Sequence, residues 1–174
     1  NKNYFLGFKS AHKFGVSMRS DTPKPDGIAV FVAENVKVSD KIAFSVNGIE
    51  FNLRMFGTFN VINALLAIAA AKTLGVPLET AAEALSNIGV VPGRMETITA
   101  PSGTTIIVDY APEPAAMEAS LNAIALLPHS KIIHVFGSTG GHRDIAKRFI
   151  FGEISAEAAD TIIITNDDVY DSDP

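Results

Sequence analysis

The sequence has no cysteine and no tryptophan, and only three tyrosines among its 174 residues. Without cysteine it has neither a disulfide framework nor a thiolate metal site, which fits a reducing compartment, and a cytoplasmic location is expected. The longest apolar run, from Val61 to Ala71, is broken by Asn63 and is too short to span a bilayer. No signal peptide is recognisable, so no membrane association is expected.

Basic residues are also fewer than acidic ones, 14 against 19, which gives a formal net charge of −5. An acidic chain lacks the basic face that general nucleic-acid binding requires, so no nucleic-acid partner is expected. With 47% hydrophobic and 19% charged residues, the composition is typical of one large or two small globular domains. The sequence begins at Asn1 without a methionine and stops at Pro174 soon after an apolar run, which suggests a piece of a longer protein.

The first half of the chain contains short apolar runs separated by turn residues, a pattern that predicts β-strands. Asn47-Gly48 is a strong two-residue hairpin signal, and a β-meander of the last three runs is the simplest interpretation. The predicted strands are Lys13–Met18, Gly27–Ala33, Lys41–Val46 and Ile49–Met55.

Two helices are predicted next. The segment Asn60–Leu74 is apolar on most sides, which predicts a buried helix, and Gly75 stands at the position of a C-terminal cap. Pro77 opens a second helix that reaches Asn87.

A Gly/Pro connector, Gly89–Gly93, marks a domain boundary, so residues 1–90 and 91–174 are assigned to separate domains. After it, apolar runs alternate with helical segments, which predicts parallel βαβ units and an α/β fold. Ligands of such sheets bind outside the carboxyl ends of the strands. The predicted elements are a strand at Thr104–Val108, a helix at Glu113–Ala125, a strand at Lys131–Phe136, a helix at Asp144–Ala159 and a strand at Thr161–Thr165.

The segment Lys131–Arg148 combines a strand, a glycine-rich turn and a helix start, an arrangement that favours anion binding. An ordinary strand-to-helix connection is the competing interpretation. The turn has neither the glycine-lysine-Ser/Thr sequence of a phosphate loop nor a dinucleotide fingerprint, and Ser138 is not the centre of a hydrolase nucleophile elbow.

Four local patterns occur in order: GTFNVINALLAIAAA, VPGRME, VDYAPEP and FGSTGGHRDIAKR. Together they resemble the Mur ligases of peptidoglycan synthesis, and within them the UDP-N-acetylmuramoyl-tripeptide synthetases, which add the third residue of the stem peptide. The resemblance implies the end of an ATP-binding central domain, built from the β-meander and two helices. A Rossmann-like parallel βαβαβ C-terminal domain, truncated in this sequence, would follow.

The resemblance also implies a reaction. ATP, with Mg²⁺, would phosphorylate the carboxylate of a UDP-N-acetylmuramoyl peptide, and the amine of an amino acid would then form the amide bond. The phosphate loop and the metal ligands of the family lie upstream of the matching region. No catalytic residue and no metal ligand are therefore assigned within this chain, and the chain alone is expected to be catalytically silent.

Three residues match the family's ATP-binding positions. Asn60 is expected near the adenine, although it could instead cap a helix. Arg94 is expected to reach ATP, since a guanidinium suits phosphate oxygens, with a plain surface arginine as the alternative. Asp109 is expected near the ribose.

Four further residues, Arg143, Asp167, Asp168 and Tyr170, match the positions that bind the incoming amino acid, and Lys147 matches a basic position beside them. Arg143 corresponds to the arginine that holds its carboxylate, and Lys147, a neighbouring basic position, is expected to contact an anion. Asp167 and Asp168 occupy the place of the family's Asp-Asn selectivity pair and could bind an ammonium group, although a solvated acidic loop is the alternative. Tyr170 stands where diaminopimelate-adding enzymes have an arginine, which makes diaminopimelate doubtful and leaves lysine or another amino acid open.

Two other departures from the family pattern are Pro112, in place of a histidine, and His142, in place of an aspartate. A folylpolyglutamate-type ligase of the same superfamily and a non-catalytic module that binds a nucleotide or acidic metabolite both remain as alternative functions.

Overall fold

A computed structural model describes residues 7–140 and 144–170 of the chain. The chain forms two compact units, one of residues 1–54 and 58–88 and the other of residues 55–57 and 89–174. In the described ranges, every helix falls short of the length and hydropathy that crossing a membrane requires.

Five strands lie among the described residues of the first unit. β1 (Phe14–Ser17) and β2 (Ala29–Val32) form a parallel pair. β3 (Glu34–Val38), β4 (Ile42–Val46) and β5 (Ile49–Leu53) form an antiparallel sheet in that order.

The predicted meander is therefore correct for β4 and β5 but wrong for its first strand. The chain enters β3 directly after Ala33, whose N–H donates to the Ser17 carbonyl oxygen at 2.9 Å and so ties β2 to β1. β3 was missed because its sequence, ENVKV, has no apolar run, and a register shift with Asn35 at φ 54° interrupts its pairing.

The predicted hairpin at Asn47-Gly48 is confirmed. Both residues have positive φ, 49° and 81°, which is the conformation of a type I′ turn. This turn sets Val46 opposite Ile49 and thereby fixes the register along the whole of β4 and β5.

Both helices predicted for the first unit are present, as α1 (Phe59–Thr73) and α2 (Leu78–Asn87). The expectation that α1 is buried on most sides is wrong, because only one face is covered and Leu66 on the other is 54% exposed. Gly75, at φ 79°, ends α1 as predicted: its N–H donates to the Lys72 oxygen and the Val76 N–H to the Ala71 oxygen.

The core of the first unit lies between its sheet and its helices. α2 packs against β5, and α1 contacts β1 and α2. The Phe44 and Phe51 rings stack with centroids 5.3 Å apart. The largest buried side chains of this core are Phe31, Ile42, Phe44, Val46, Phe51, Leu53, Val61, Leu65 and Ile68.

In the second unit, the residues that the structure describes form four strands and two helices. β6 (Glu96–Thr99) and β7 (Thr105–Val108) form an antiparallel hairpin, and α3 (Pro114–Ala125) follows. β8 (Ile133–Phe136), α4 (Ala146–Ala158) and β9 (Thr161–Ile164) then form a βαβ unit with parallel strands.

The α/β class is thus confirmed, but the strand pairing differs from the predicted continuous parallel sheet. In the part of the chain described, β7 pairs with β6 and β8 pairs with β9, in separate ladders. β6 was not predicted, because its sequence ETIT carries a single apolar residue. The small core of the unit joins α3 to α4 through Met117, Leu121 and Phe151, against which Phe136 of β8 packs.

Candidate functional site

A tight turn presents Arg94. Pro92 and Gly93, at φ 67°, are its central residues, and the Arg94 N–H donates to the Val91 carbonyl oxygen at 3.0 Å. Positive φ at the third position is typical of a type II turn, which favours glycine there. The Arg94 side chain is exposed and its guanidinium carbon lies 5.0 Å from the centre of the Tyr110 ring, a cation–π distance.

Asp109 follows β7 directly and its carboxylate is held by protein donors. Oδ1 accepts the N–H groups of Met95 at 3.2 Å and of Tyr110 at 3.1 Å. Oδ2 accepts the Ser120 hydroxyl at 2.5 Å. Because a carboxylate has about four acceptor positions, little of this one remains for a ligand.

A cleft of about 620 Å³ opens where β7, β8 and β9 end. The chain leaves these strands at Asp109, Gly137 and Thr165, so side chains from three loops meet there. Its polar and aromatic rim is formed by Asp109, Tyr110, Glu113, His134, Ser138, Thr139, Lys147, Asn166, Asp167, Asp168 and Tyr170.

Two of the loops at this cleft are joined to each other. The Thr139 hydroxyl donates to Asp167 Oδ2 at 3.1 Å, and the Gly140 N–H donates to the Asp168 carbonyl oxygen at 3.0 Å. A Cβ on Gly137 would lie 2.7 Å from both Asp167 Cβ and the Thr165 oxygen. Only glycine therefore fits where the loop after β8 approaches the loop after β9.

Lys147, from the first turn of α4, forms an ion pair with Glu113 at the start of α3. Its Nζ lies 2.5 Å from Glu113 Oε1, and the two side chains are 25% and 61% exposed. An exposed pair of this kind contributes little to stability. Both side chains line the cleft. An anion that binds to the Lys147 ammonium would have to displace the Glu113 carboxylate from it.

His134 lies on β8 and is one of the residues that line the cleft. Its Nδ1 is 2.9 Å from the Ser155 hydroxyl of α4, and its ring stacks on Phe136 with centroids 4.9 Å apart. Burial lowers the pKa of His134, because the charged imidazolium loses hydration there. The ring is therefore neutral at pH 7.

The structure brings most of the predicted site residues together. Asp109, Lys147, Asp167, Asp168 and Tyr170 all line the cleft. Asp167 and Asp168 remain exposed although they line the cleft.

Two predicted residues, Arg94 and Asn60, are not among the residues that line the cleft. Arg94 is not part of the cleft lining but contacts its rim through Tyr110. Asn60 lies in the other unit, as the second residue of α1, where its Oδ1 accepts from the Asn63 amide at 3.1 Å. Thr58 rather than Asn60 occupies the cap position. Arg143 lies outside the described residues.

Residues 93–174 match the family model described as "Mur ligase, glutamate ligase domain". The chain is also 42% identical over 120 residues to UDP-N-acetylmuramoyl-L-alanyl-D-glutamate–2,6-diaminopimelate ligase from Alkalilimnicola ehrlichii. This chain belongs to the Mur ligase family.

The match to the Alkalilimnicola ehrlichii ligase covers 69% of the chain but 24% of that relative. A UDP-N-acetylmuramyl-tripeptide synthetase from Roseiflexus is 45% identical over 116 residues, 67% of the chain and 23% of the relative. The chain thus spans about a quarter of the length of these relatives.

Solved structures agree on the Mur ligase fold. UDP-N-acetylmuramate–alanine ligase from Thermotoga maritima is 26% identical, with a TM-score of 0.64 over 81% of this chain and 32% of that one. A folylpolyglutamate synthase from the same organism, 22% identical, has a TM-score of 0.58 over 80% of this chain and 34% of that one, and shows the shared fold alone.

Among the described residues that line the cleft, four carboxylates, those of Asp109, Glu113, Asp167 and Asp168, accompany one ammonium, that of Lys147. Hydroxyl or ammonium donors of a ligand would be accommodated beside these carboxylates. Within residues 7–140 and 144–170, no group of three or more His, Asp or Glu side chains is arranged to hold a metal ion.

Some residues of the site were not predicted. Three of them make contacts with residues far away in the sequence. Glu113 contacts Lys147, 34 residues away, His134 contacts Ser155, 21 residues away, and Ser120 contacts Asp109, 11 residues away. No local motif marks such contacts. Thr139 lies inside the glycine-rich segment that was singled out, and its position next to two glycines was the one available signal.

Proposed function

We propose that this chain is part of an ATP-dependent ligase that joins the carboxylate of a UDP-N-acetylmuramoyl peptide to the amine of an amino acid. In this reaction ATP phosphorylates the peptide carboxylate to an acyl phosphate, the amine attacks the acyl carbon and phosphate leaves. The observation that carries the proposal is the cleft at the strand ends, in which Asp109, Lys147 and Asp167 meet in a chain of the Mur ligase family.

Within that reaction the chain would supply two binding surfaces. Residues 1–90 would be the end of the central domain, with Asn60 near the adenine, and residues 91–174 the start of the C-terminal domain. Arg94 would contact ATP, and Asp109 would lie near the ribose. This division is supported by the two compact units, because the first ends at residue 88 and the second continues from residue 89.

The amino acid would bind between opposite charges. Its ammonium group is complementary to the acidic side of the cleft, where Thr139 already orients Asp167, and Arg143 would bind its carboxylate. Tyr170, 70% exposed at the rim, offers no positive charge for a second carboxylate. We therefore favour lysine or another amino acid without a distal carboxylate over diaminopimelate, although one relative above is named for diaminopimelate.

Arg143→Ala in the complete protein tests this arrangement. The substitution removes the charge that would pair with the amino acid's carboxylate, so we expect KM for the amino acid to rise at least about tenfold, with KM for ATP changed less than about twofold. Arg148→Ala, on the exposed surface of α4, is the matched control. Equal effects of Arg143→Ala on both substrates would refute the assignment.

A substrate panel tests the side-chain preference. The complete protein should use lysine or ornithine better than diaminopimelate, measured as amide product per unit time. Robust use of diaminopimelate would overturn the preference without affecting the ligase assignment.

The same assays separate the alternative functions. A folylpolyglutamate-type ligase, the second candidate, would instead extend a folate with glutamate. The 174-residue chain alone should form no amide bond, because a phosphate loop and metal are needed to stabilise phosphoryl transfer. A complete protein that binds ATP but turns over neither substrate class would indicate a non-catalytic binding module.

A further inference from the structure

Met95, directly after Arg94, has an unusual backbone. Its φ is 51°, in the left-handed region that residues with a Cβ rarely adopt, and its side chain is 5% exposed. A conformation of this kind persists only where surrounding contacts hold it, and such positions cluster at functional sites.

The backbone on both sides of Arg94 is fixed by hydrogen bonds. The Gly93 N–H donates to Glu96 Oε2 at 2.9 Å, and the Gly93 oxygen accepts the Tyr110 N–H at 3.0 Å. The Met95 N–H donates to Asp109 Oδ1. Residues 93–95 are therefore attached to the end of β7 through Asp109 and Tyr110.

Ser120 controls how the Asp109 carboxylate is oriented. It lies in α3, is 7% exposed, and donates its hydroxyl to Asp109 Oδ2, the oxygen that does not bind Met95. With one oxygen held by the helix, the other is directed at the Met95 N–H. Without the Ser120 hydroxyl the carboxylate is held through Oδ1 alone, by the N–H groups of Met95 and Tyr110, and the bond that holds Met95 in its strained conformation weakens.

We propose that Ser120 is a positioning residue: acting through Asp109 and the Met95 amide, it fixes the backbone that presents Arg94 to the nucleotide. The inference rests on the proposed function for the role of Arg94. It also assigns Asp109 a task besides its expected contact with the ribose, because most of its acceptor positions are already used within the protein.

Amide hydrogen exchange of the chain tests the positioning itself. In Ser120→Ala we expect the Met95 amide to exchange about tenfold faster, and Ser120→Thr, which keeps a hydroxyl, to restore its protection. Ser155→Ala is the matched control, since it removes another buried serine hydroxyl of this unit, one that contacts His134 instead. Unchanged exchange at Met95 in Ser120→Ala would overturn the proposal.

Kinetics of the complete protein test the consequence for the nucleotide. Ser120→Ala should raise KM for ATP about five- to tenfold, because a hydrogen bond to a charged group is lost, while KM for the amino acid changes less than about twofold. Ser155→Ala should leave KM for ATP unchanged. An equal rise in Ser155→Ala, or none in Ser120→Ala, would overturn the proposal. If the wild-type protein forms no amide bond, the proposed function fails, and the exchange measurement still decides whether Ser120 fixes residues 93–95.

Discussion

The two units use their apolar residues differently. In the first, Val46 and Phe51 are completely buried and a continuous core joins the sheet to the helices. In the second, the strands are more exposed, with Val135 at 56% and Ile164 at 75%, and the core is a small group between α3 and α4. In the described residues the larger buried core thus lies in the first unit, and the cleft lies at the strand ends of the second.

The comparison predicts different weak points. In a close-packed core, removing a side chain leaves a cavity that the surroundings fill only in part. At the strand ends of the second unit, two loops approach at Gly137 so closely that adding an atom is the damaging change.

The largest effect is expected for Phe51→Ala in the first unit. Phe51 is completely buried and stacks on Phe44, so its truncation should lower the free energy of unfolding by about 3–5 kcal/mol. Urea denaturation followed by circular dichroism measures this. Phe149→Ala removes the same group from a side chain that is 75% exposed and should cost less than about 0.5 kcal/mol. Comparable losses in the two variants would contradict the contrast between the units.

Gly137→Ala should have the next largest effect, in the second unit. The new Cβ would meet Asp167 Cβ and the Thr165 oxygen at 2.7 Å, so the loop must move, at a cost of about 1–3 kcal/mol. The movement should also break the Thr139–Asp167 bond and raise KM for the amino acid in the complete protein.

Gly152→Ala is the matched control for this substitution. Gly152 lies in α4 with no heavy atom within 4 Å of an added Cβ, so alanine there should stabilise the helix by roughly 0.5–1 kcal/mol. If Gly137→Ala were as harmless, the close approach of the two loops would not constrain the site.

Local signals in the sequence predicted the features that depend on neighbouring residues. The Asn47-Gly48 turn, the end of α1 at Gly75 and the helix after Pro77 each follow from backbone preferences of one or two residues. That the loops after β8 and β9 lie at one edge was also predictable, because these two strands are parallel.

Features that depend on tertiary contacts were not predictable. β3 is polar and becomes a strand only because β4 pairs with it, partly through the Ser45 hydroxyl, which donates to the Glu34 carbonyl oxygen at 3.4 Å. The contact between Ser120 and Asp109 likewise exists only once α3 has packed beside the end of β7. Sequence patterns locate the strand ends, whereas packing decides which side chains meet there.

The smallest effect is expected at His134, and it concerns pH. Burial lowers the pKa of His134 in the folded protein, so the unfolded chain, whose histidine has its ordinary pKa of about 6.5, takes up the proton first as pH falls. The contribution of the neutral ring is complete above that pH and is lost as pH falls from there towards the folded-state pKa. His134→Asn removes the titrating group but keeps a polar side chain near Ser155, so the difference in unfolding free energy between wild type and variant should narrow as pH falls below about 6.5. Phe51→Ala, in the other unit, should retain the wild-type pH dependence. A difference between wild type and His134→Asn that does not change with pH would show that burial of this ring has no influence on its protonation.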